Sequence, residues 1–154
     1  QHGLKIGTIA DLIHYRAAHE SMIERIGARP VQTAAGPFQL VVYVDKPSRS
    51  THLALVCGAI DPARETLVRV HEPTSLLDLI DTDARTHSWT FARSLATIAQ
   101  AGAGVVVLLN CGESAEQLLG RAKDFLAHDG QARPTPRAAK MDLRTYGVGA
   151  QILR

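Results

Sequence analysis

The sequence predicts a mixed α/β (α+β) domain, an antiparallel strand meander followed by helices around a buried strand. Three observations carry this. Three alternating, valine-rich stretches follow one another closely: FQLVVYVDK (38–46), HLALVCGAI (52–60) and TLVRVHE (66–72). A continuous apolar run, GVVVLLN (104–110), has the pattern of a strand covered on both faces. Stretches with apolar residues at helical spacing lie on both sides of that run.

The elements follow in order. Residues 8–27, TIADLIHYRAAHESMIERIG, predict a helix. Thr8 caps its start, with Asp11 as the acidic partner three residues on. Ile9, Leu12, Ile13, Met22, Ile23 and Ile26 give it an incomplete apolar stripe, and Gly27 with Pro30 marks its stop. Residues 28–37, ARPVQTAAGP, read as a linker or an edge segment. The strand connections KPSRST and DPARE carry Pro47, Ser48, Ser50, Asp61 and Pro62, and connections this short favour antiparallel neighbours. SWTFARSLATIAQAGAG then places Trp89, Ala92, Leu95, Ala96 and Ala99 on one helix face, with Ser88 as cap and Gly102 as stop. Residues 113–130 place Ala115, Leu118, Leu119, Ala122, Phe125 and Leu126 at helical spacing, ending at Gly130. Residues 146–154, YGVGAQILR, begin another helix without a closing cap, the pattern of a domain truncated at its carboxyl end.

Composition narrows the function classes. With 45% apolar and 21% charged residues, the 154-residue chain is that of an ordinary globular domain. No apolar run is long enough for a membrane span, so no membrane partner is expected. Two cysteines make a disulfide framework improbable and point to a reducing, cytoplasmic setting. A net charge of +2, from 17 basic and 15 acidic residues, gives no reason to expect nucleic acid as a partner. The basic excess is local. QARPTPRAAKMDLR (131–144) sets Arg133, Arg137, Lys140 and Arg144 against Asp142, which suits either a phosphate-bearing ligand or a solvated loop.

Chemistry is sparsely marked. There is no CxxC, HxH, HExxH, GxSxG, GxxxxGK[ST] or GxGxxG spacing. Zinc held by Cys111, His71 and His87 is conceivable from ligand type, but no spacing supports it. His71 and Glu72 end a strand, where they could reach a cleft or form a plain surface pair. Asp142 and Arg144 could serve proton transfer and phosphate binding, or be a simple ion pair.

Two resemblances sharpen this. HGLKIGTIADLIHYRAAHE (2–20) resembles the carboxyl-terminal end of 3,4-dihydroxy-2-butanone 4-phosphate synthase, an enzyme of riboflavin biosynthesis. From about residue 31 onward the chain resembles GTP cyclohydrolase II, to which that synthase is fused in many bacteria. TAAGPFQLVVYV resembles the family's opening strand, HLALVCGAI its "HxALxxGxI" strand, and TLVRVHE its "LVRVHSE" approach to a zinc site. DLRTYGVGAQIL is similar to "D-x-R-x-Y-G-x-G-A-Q-I-L", the most specific match. The resemblance implies residues 1–28 as the synthase tail with a linker helix, and 29–154 as the cyclohydrolase-like domain.

That family opens the imidazole ring of GTP, releasing formate and pyrophosphate. A zinc ion on three cysteines supplies hydroxide at neutral pH, and magnesium assists at the triphosphate. Here the family's "C-L-T-G-D" and "R-C-D-C-G" are replaced. RVHEPTSLLD follows the strand, the ligand positions fall near Thr74, Arg85 and His87, and no cysteine lies between Cys57 and Cys111. The family's "Y-x-R-Q-E-G-R" segment becomes LLNCGESAEQLL, in which only Glu113 echoes the acid.

The resemblance therefore implies a degenerate cyclohydrolase-like domain acting as a scaffold or regulatory domain, beside an active synthase domain. The resemblance puts Asp142 and Arg144 at the family's catalytic positions, as working groups or as vestiges, and Arg69, His71 and Glu72 at its nucleotide-binding strand end. No metal ligand set is expected, magnesium being implied only with a bound nucleotide or in the synthase domain. GTP or a phosphate ligand and a homodimeric partner are further implied. The alternatives are an active cyclohydrolase or nucleotide hydrolase using Cys111, His71 and His87 or magnesium alone, and a GTP or phosphate sensor.

Overall fold

The computed structural model describes residues 7–12, 15, 20, 22–72, 75–80, 89–127 and 143–154. A five-stranded sheet is built from β1 (Ile23–Thr33), β2 (Gly36–Asp45), β3 (Thr51–Cys57), β4 (Leu67–His71) and β5 (Gly104–Leu108). The helices are α1 (Leu77–Ile80), α2 (Phe91–Ala101), α3 (Ala115–Ala127) and α4 (Leu143–Ile152). The spatial strand order is β1-β2-β3-β5-β4, antiparallel throughout except for the parallel β4–β5 pair. The mixed α/β expectation holds.

β5 organises the core. All five of its residues are buried, as the unbroken apolar run predicts. Its side chains alternate between two clusters. Val105 and Val107, with Leu109 just beyond the strand, pack with Ile23, Val41, Ala54 and Ile152 of α4. Val106 packs on the opposite face with Phe38, Leu55 and the α2 residues Leu95 and Ile98. The sheet is thus sandwiched between α2 and α4.

Several expectations are corrected. Residues 23–27, expected to end a helix, instead open β1, which also takes in residues 28–33 of the expected linker and pairs with β2 along its length. A helical turn remains at residues 9–12, where the Thr8 hydroxyl accepts from the Asp11 amide at 3.0 Å. The isoleucine spacing that suggests a helix falls on an outer strand. There Pro30 costs no ladder bond on the outer side, and Gly27 adjoins a register shift.

The meander is also incomplete. β1, β2 and β3 are consecutive antiparallel neighbours, but β4 is separated from β3 by β5. After β4 the chain passes through α2 and returns as β5 parallel to it, the connection a parallel pair requires.

α2 is capped by Thr90, not Ser88: the Thr90 hydroxyl accepts from the Arg93 amide at 3.2 Å. Gly102 ends it in the left-handed region at φ 78°, as expected. Its buried face is Ser94, Leu95 and Ile98, while Trp89 and Ala92 of the expected face are exposed. In α3 the expected stripe is not buried: Leu119 and Leu126 are 56% and 77% exposed. α4 begins at Leu143, three residues before the expected start. Among the described residues no helix is long and apolar enough to cross a membrane.

Candidate functional site

Antiparallel pairing brings the start of β3 and the ends of β2 and β5 to one end of the sheet, and parallel pairing adds the end of β4. Asp45, His52, His71, Glu72, Asn110, Cys111 and Glu113 collect there. In α/β sheets the crevice beyond such strand ends is where ligands commonly bind.

Of the predicted residues, Arg69, His71 and Glu72 share this neighbourhood but not one cleft. Arg69 and His71 point to the α2 face, opposite Val106 and Leu108 of β5. His71 is 1% exposed, its ring centroid 6.3 Å from that of Phe91 with the planes tilted by 46°. Arg69 Nη2 donates to the Trp89 carbonyl at 3.3 Å, while its buried Nε has no hydrogen-bond partner among the described residues. It opens onto a groove of about 250 Å³ lined by Leu67, Val68, Trp89, Ser94, Thr97 and Ile98. Arg93 lies 4.3 Å from the Trp89 ring centroid, a cation–π contact that fixes one wall.

Glu72 turns the other way. Its Oε1 accepts from Asn110 Nδ2 at 2.5 Å. Glu113 makes the reciprocal tie, Oε2 accepting from the Ser75 hydroxyl at 3.0 Å and from the Leu76 amide at 3.1 Å. An acid after β4 therefore holds the β5 loop, and an acid after β5 holds the β4 loop. Carboxylates so engaged are committed to joining loops, and proton transfer would require breaking those bonds.

Beneath them sits His52, 1% exposed, whose Nδ1 accepts from the Asn110 amide at 3.0 Å. Burial pulls His52 below its ordinary 6.5, with Asp45 and then Glu72 opposing. Asn110 adopts the left-handed region at φ 53°, a conformation asparagine tolerates better than most side chains. His52 and Asn110 escape sequence reasoning because their bond spans 58 positions; the one available signal is a histidine heading an otherwise apolar strand.

The two cysteines stand at opposite ends of the sheet. Cys57 pairs with Gly104 at the start of β5, whereas Cys111 follows its end. At a strand rise of about 3.3 Å per residue they stand on the order of 20 Å apart. Burial pushes the Cys111 thiol up, only partly offset by a backbone hydrogen bond from Leu53, so it stays protonated at neutral pH. Among the described residues no three of His, Cys, Asp and Glu are grouped as a metal site. His87, Arg85, Thr74 and Asp142 lie outside the described residues, as does the basic stretch 131–142. Arg144 is the second residue of α4, and its side chain lies outside the description.

Known proteins supply the remaining comparison. The model of the family GTP cyclohydrolase II matches residues 24–154. A 3,4-dihydroxy-2-butanone 4-phosphate synthase of Neisseria meningitidis serogroup B is 50% identical over 153 residues, covering 99% of this chain and 40% of that protein. The riboflavin biosynthesis protein RibBA of Cytophaga hutchinsonii is 33% identical over 156 residues, covering 98% and 38%. Among solved structures, RibBX of A. baumannii, a two-domain 3,4-dihydroxy-2-butanone 4-phosphate synthase, aligns with a TM-score of 0.56 and 35% identity over 99% of this chain and 37% of that one. The chain spans about two fifths of the length of these curated relatives.

Proposed function

The chain belongs to the GTP cyclohydrolase II family, and from that premise we propose that it keeps the family's fold without its zinc-dependent ring opening, serving as a scaffold or regulatory domain joined to a synthase domain of riboflavin biosynthesis. One observation carries the reading: no cysteine stands between Cys57 and Cys111, where the zinc thiolates belong. The rim supports it, since Glu72 and Glu113 are spent on loop-to-loop ties. The joined synthase domain is supported by relatives of which this chain matches only two fifths and whose names are those of synthases. Cytoplasmic location and homodimerisation remain part of the proposal.

Incubated with GTP, zinc and magnesium, the chain is expected to release no formate and to retain no stoichiometric zinc after gel filtration. Formate turnover together with one bound zinc per chain would falsify the reading. Cys111, His71 and His87 would then be the first ligands to replace.

A second reading, a sensor that holds GTP or another phosphate ligand without reacting, draws on Arg69. Its buried Nε is a donor left over in an open groove. Asp142 and Arg144 belong to this reading as further phosphate-side groups carried over from the family. Thermal melting with millimolar GTP or pyrophosphate is expected to show a rise that Arg69→Ala removes; a ligand at 100 times its Kd adds about 2.7 kcal/mol. An unchanged melt at those concentrations leaves the scaffold alone.

A further inference from the structure

The cluster beneath the rim has the parts of a switch. Asn110 is a node joining three strands. Its amide donates to His52 Nδ1 of β3, its side chain donates to Glu72 at the end of β4, and it directly follows Leu109, whose amide donates to the His71 carbonyl at 2.9 Å. An imidazole nitrogen that accepts a hydrogen bond carries no proton, so the ring is neutral with its proton on Nε2. Nε2 is buried and has no hydrogen-bond partner among the described residues.

We propose that His52 is a proton-operated latch: while neutral it holds the Asn110 amide, and on taking a proton at Nδ1 it releases Asn110 and draws Glu72 to itself, freeing Asn110 from β3 and from Glu72 while the Glu113 tie keeps the two loops joined. The chemistry is a single proton uptake from solvent. Nδ1–H then faces the Asn110 N–H, two donors without an acceptor between them, and that bond is lost. The new cation needs an acid. Glu72 acts on the ring electrostatically, and its carboxylate is bound to the Asn110 side chain. Moving Glu72 to His52 removes the second tie as well. Asn110, held at φ 53° by those two bonds, is then free to leave the left-handed region.

The groups around the ring all bear on this. β2 contributes Tyr43, opposite His52 across the ladder, and the Asp45 carboxylate. The β4 end contributes Glu72, and the β5 loop contributes Cys111, whose amide donates to the Thr51 carbonyl at 3.0 Å. The described α4 residues packed on that face of the sheet, Val148 and Ile152, are uncharged. The sign follows from burial. A histidine held below its ordinary value of 6.5 stabilises the fold fully above that pH, and the contribution declines as pH falls toward the folded value.

The test follows the 154-residue chain by nuclear magnetic resonance from pH 8 downward, reading the His52 ring nitrogens and the backbone amides. At pH 8 the ring is expected to be unprotonated at Nδ1. As the ring titrates, the Asn110 amide should lose at least about tenfold in exchange protection with the same midpoint, while the Cys111 amide keeps its own. Glu72→Gln keeps an acceptor for Asn110 but removes the charge, and should move the midpoint to lower pH. A proton on Nδ1 at pH 8, an Asn110 amide still protected after the ring has titrated, or a ring that stays neutral until the chain unfolds would each overturn the latch.

Discussion

Gly58→Ala is expected to destabilise the chain by at least about 3 kcal/mol, whereas Gly102→Ala should cost about 1 kcal/mol. Both glycines lie in the left-handed region, at φ 64° and 78°. Backbone strain is therefore nearly the same at the two sites, and space decides between them. A Cβ on Gly58 would stand 2.1 Å from the Gly102 carbonyl oxygen and 3.2 Å from the Ala103 Cα, while one on Gly102 meets nothing within 4 Å. The Gly102 backbone cannot swing aside cheaply, because its amide closes α2 on the Ala99 carbonyl at 3.1 Å. Gly58 is where the end of β3 passes under the turn that carries the chain from α2 into β5. Displacing that turn disturbs β5, the strand packed on both faces. Urea denaturation of the two variants checks this. A difference below about 1 kcal/mol would mean that the turn yields more easily than its bonding implies.

How much of this could be read in the sequence depended on whether a segment's partners lay nearby. β5 was legible because GVVVLLN is apolar without alternation, which only a strand covered on both faces tolerates. The end of α2 was legible because Gly102 is itself the capping device. β1 was not, because Ile23 and Ile26 repeat at helical spacing and Gly27 and Pro30 look like breakers. Only the long ladder to β2 overrides that local preference. The place of β4 was hidden too, since the chain must return through α2 before anything shows that β5 lies between β3 and β4.

The rim divides in the same way. The missing thiolates needed only a count of cysteines. The use found for the remaining acids did not show, because Glu72 reaches 38 positions ahead to Asn110 and Glu113 reaches 37 and 38 positions back to Leu76 and Ser75. Arg69, His71 and Glu72 are neighbours in sequence yet serve opposite faces. Strand alternation sends the first two toward α2, and Glu72, past the strand end, turns to the β5 loop.

Glu113→Ala is expected to lower stability by about 2 kcal/mol, the second large effect, because one carboxylate oxygen serves two donors. A shielded hydrogen bond to a charged acceptor contributes about 1.5–3 kcal/mol, and because Leu76 is exposed its amide adds little, so the total stays near that of the one bond from buried Ser75. Glu113→Gln retains an acceptor and should cost about half as much. Ser75→Ala removes the buried hydroxyl, so Ser75→Ala and Glu113→Ala combined should cost less than the sum of the two, by about 1 kcal/mol. These energies separate two uses of one acid. A carboxylate held ready for chemistry or a ligand is tolerated at a cost, and its removal leaves the fold unharmed or firmer while abolishing binding. A carboxylate that ties the β5 loop to the β4 loop takes stability with it and leaves no ligand response to lose. Additive costs for Ser75 and Glu113, or a Glu113→Ala chain as stable as its parent, would return this acid to the list of candidates for binding.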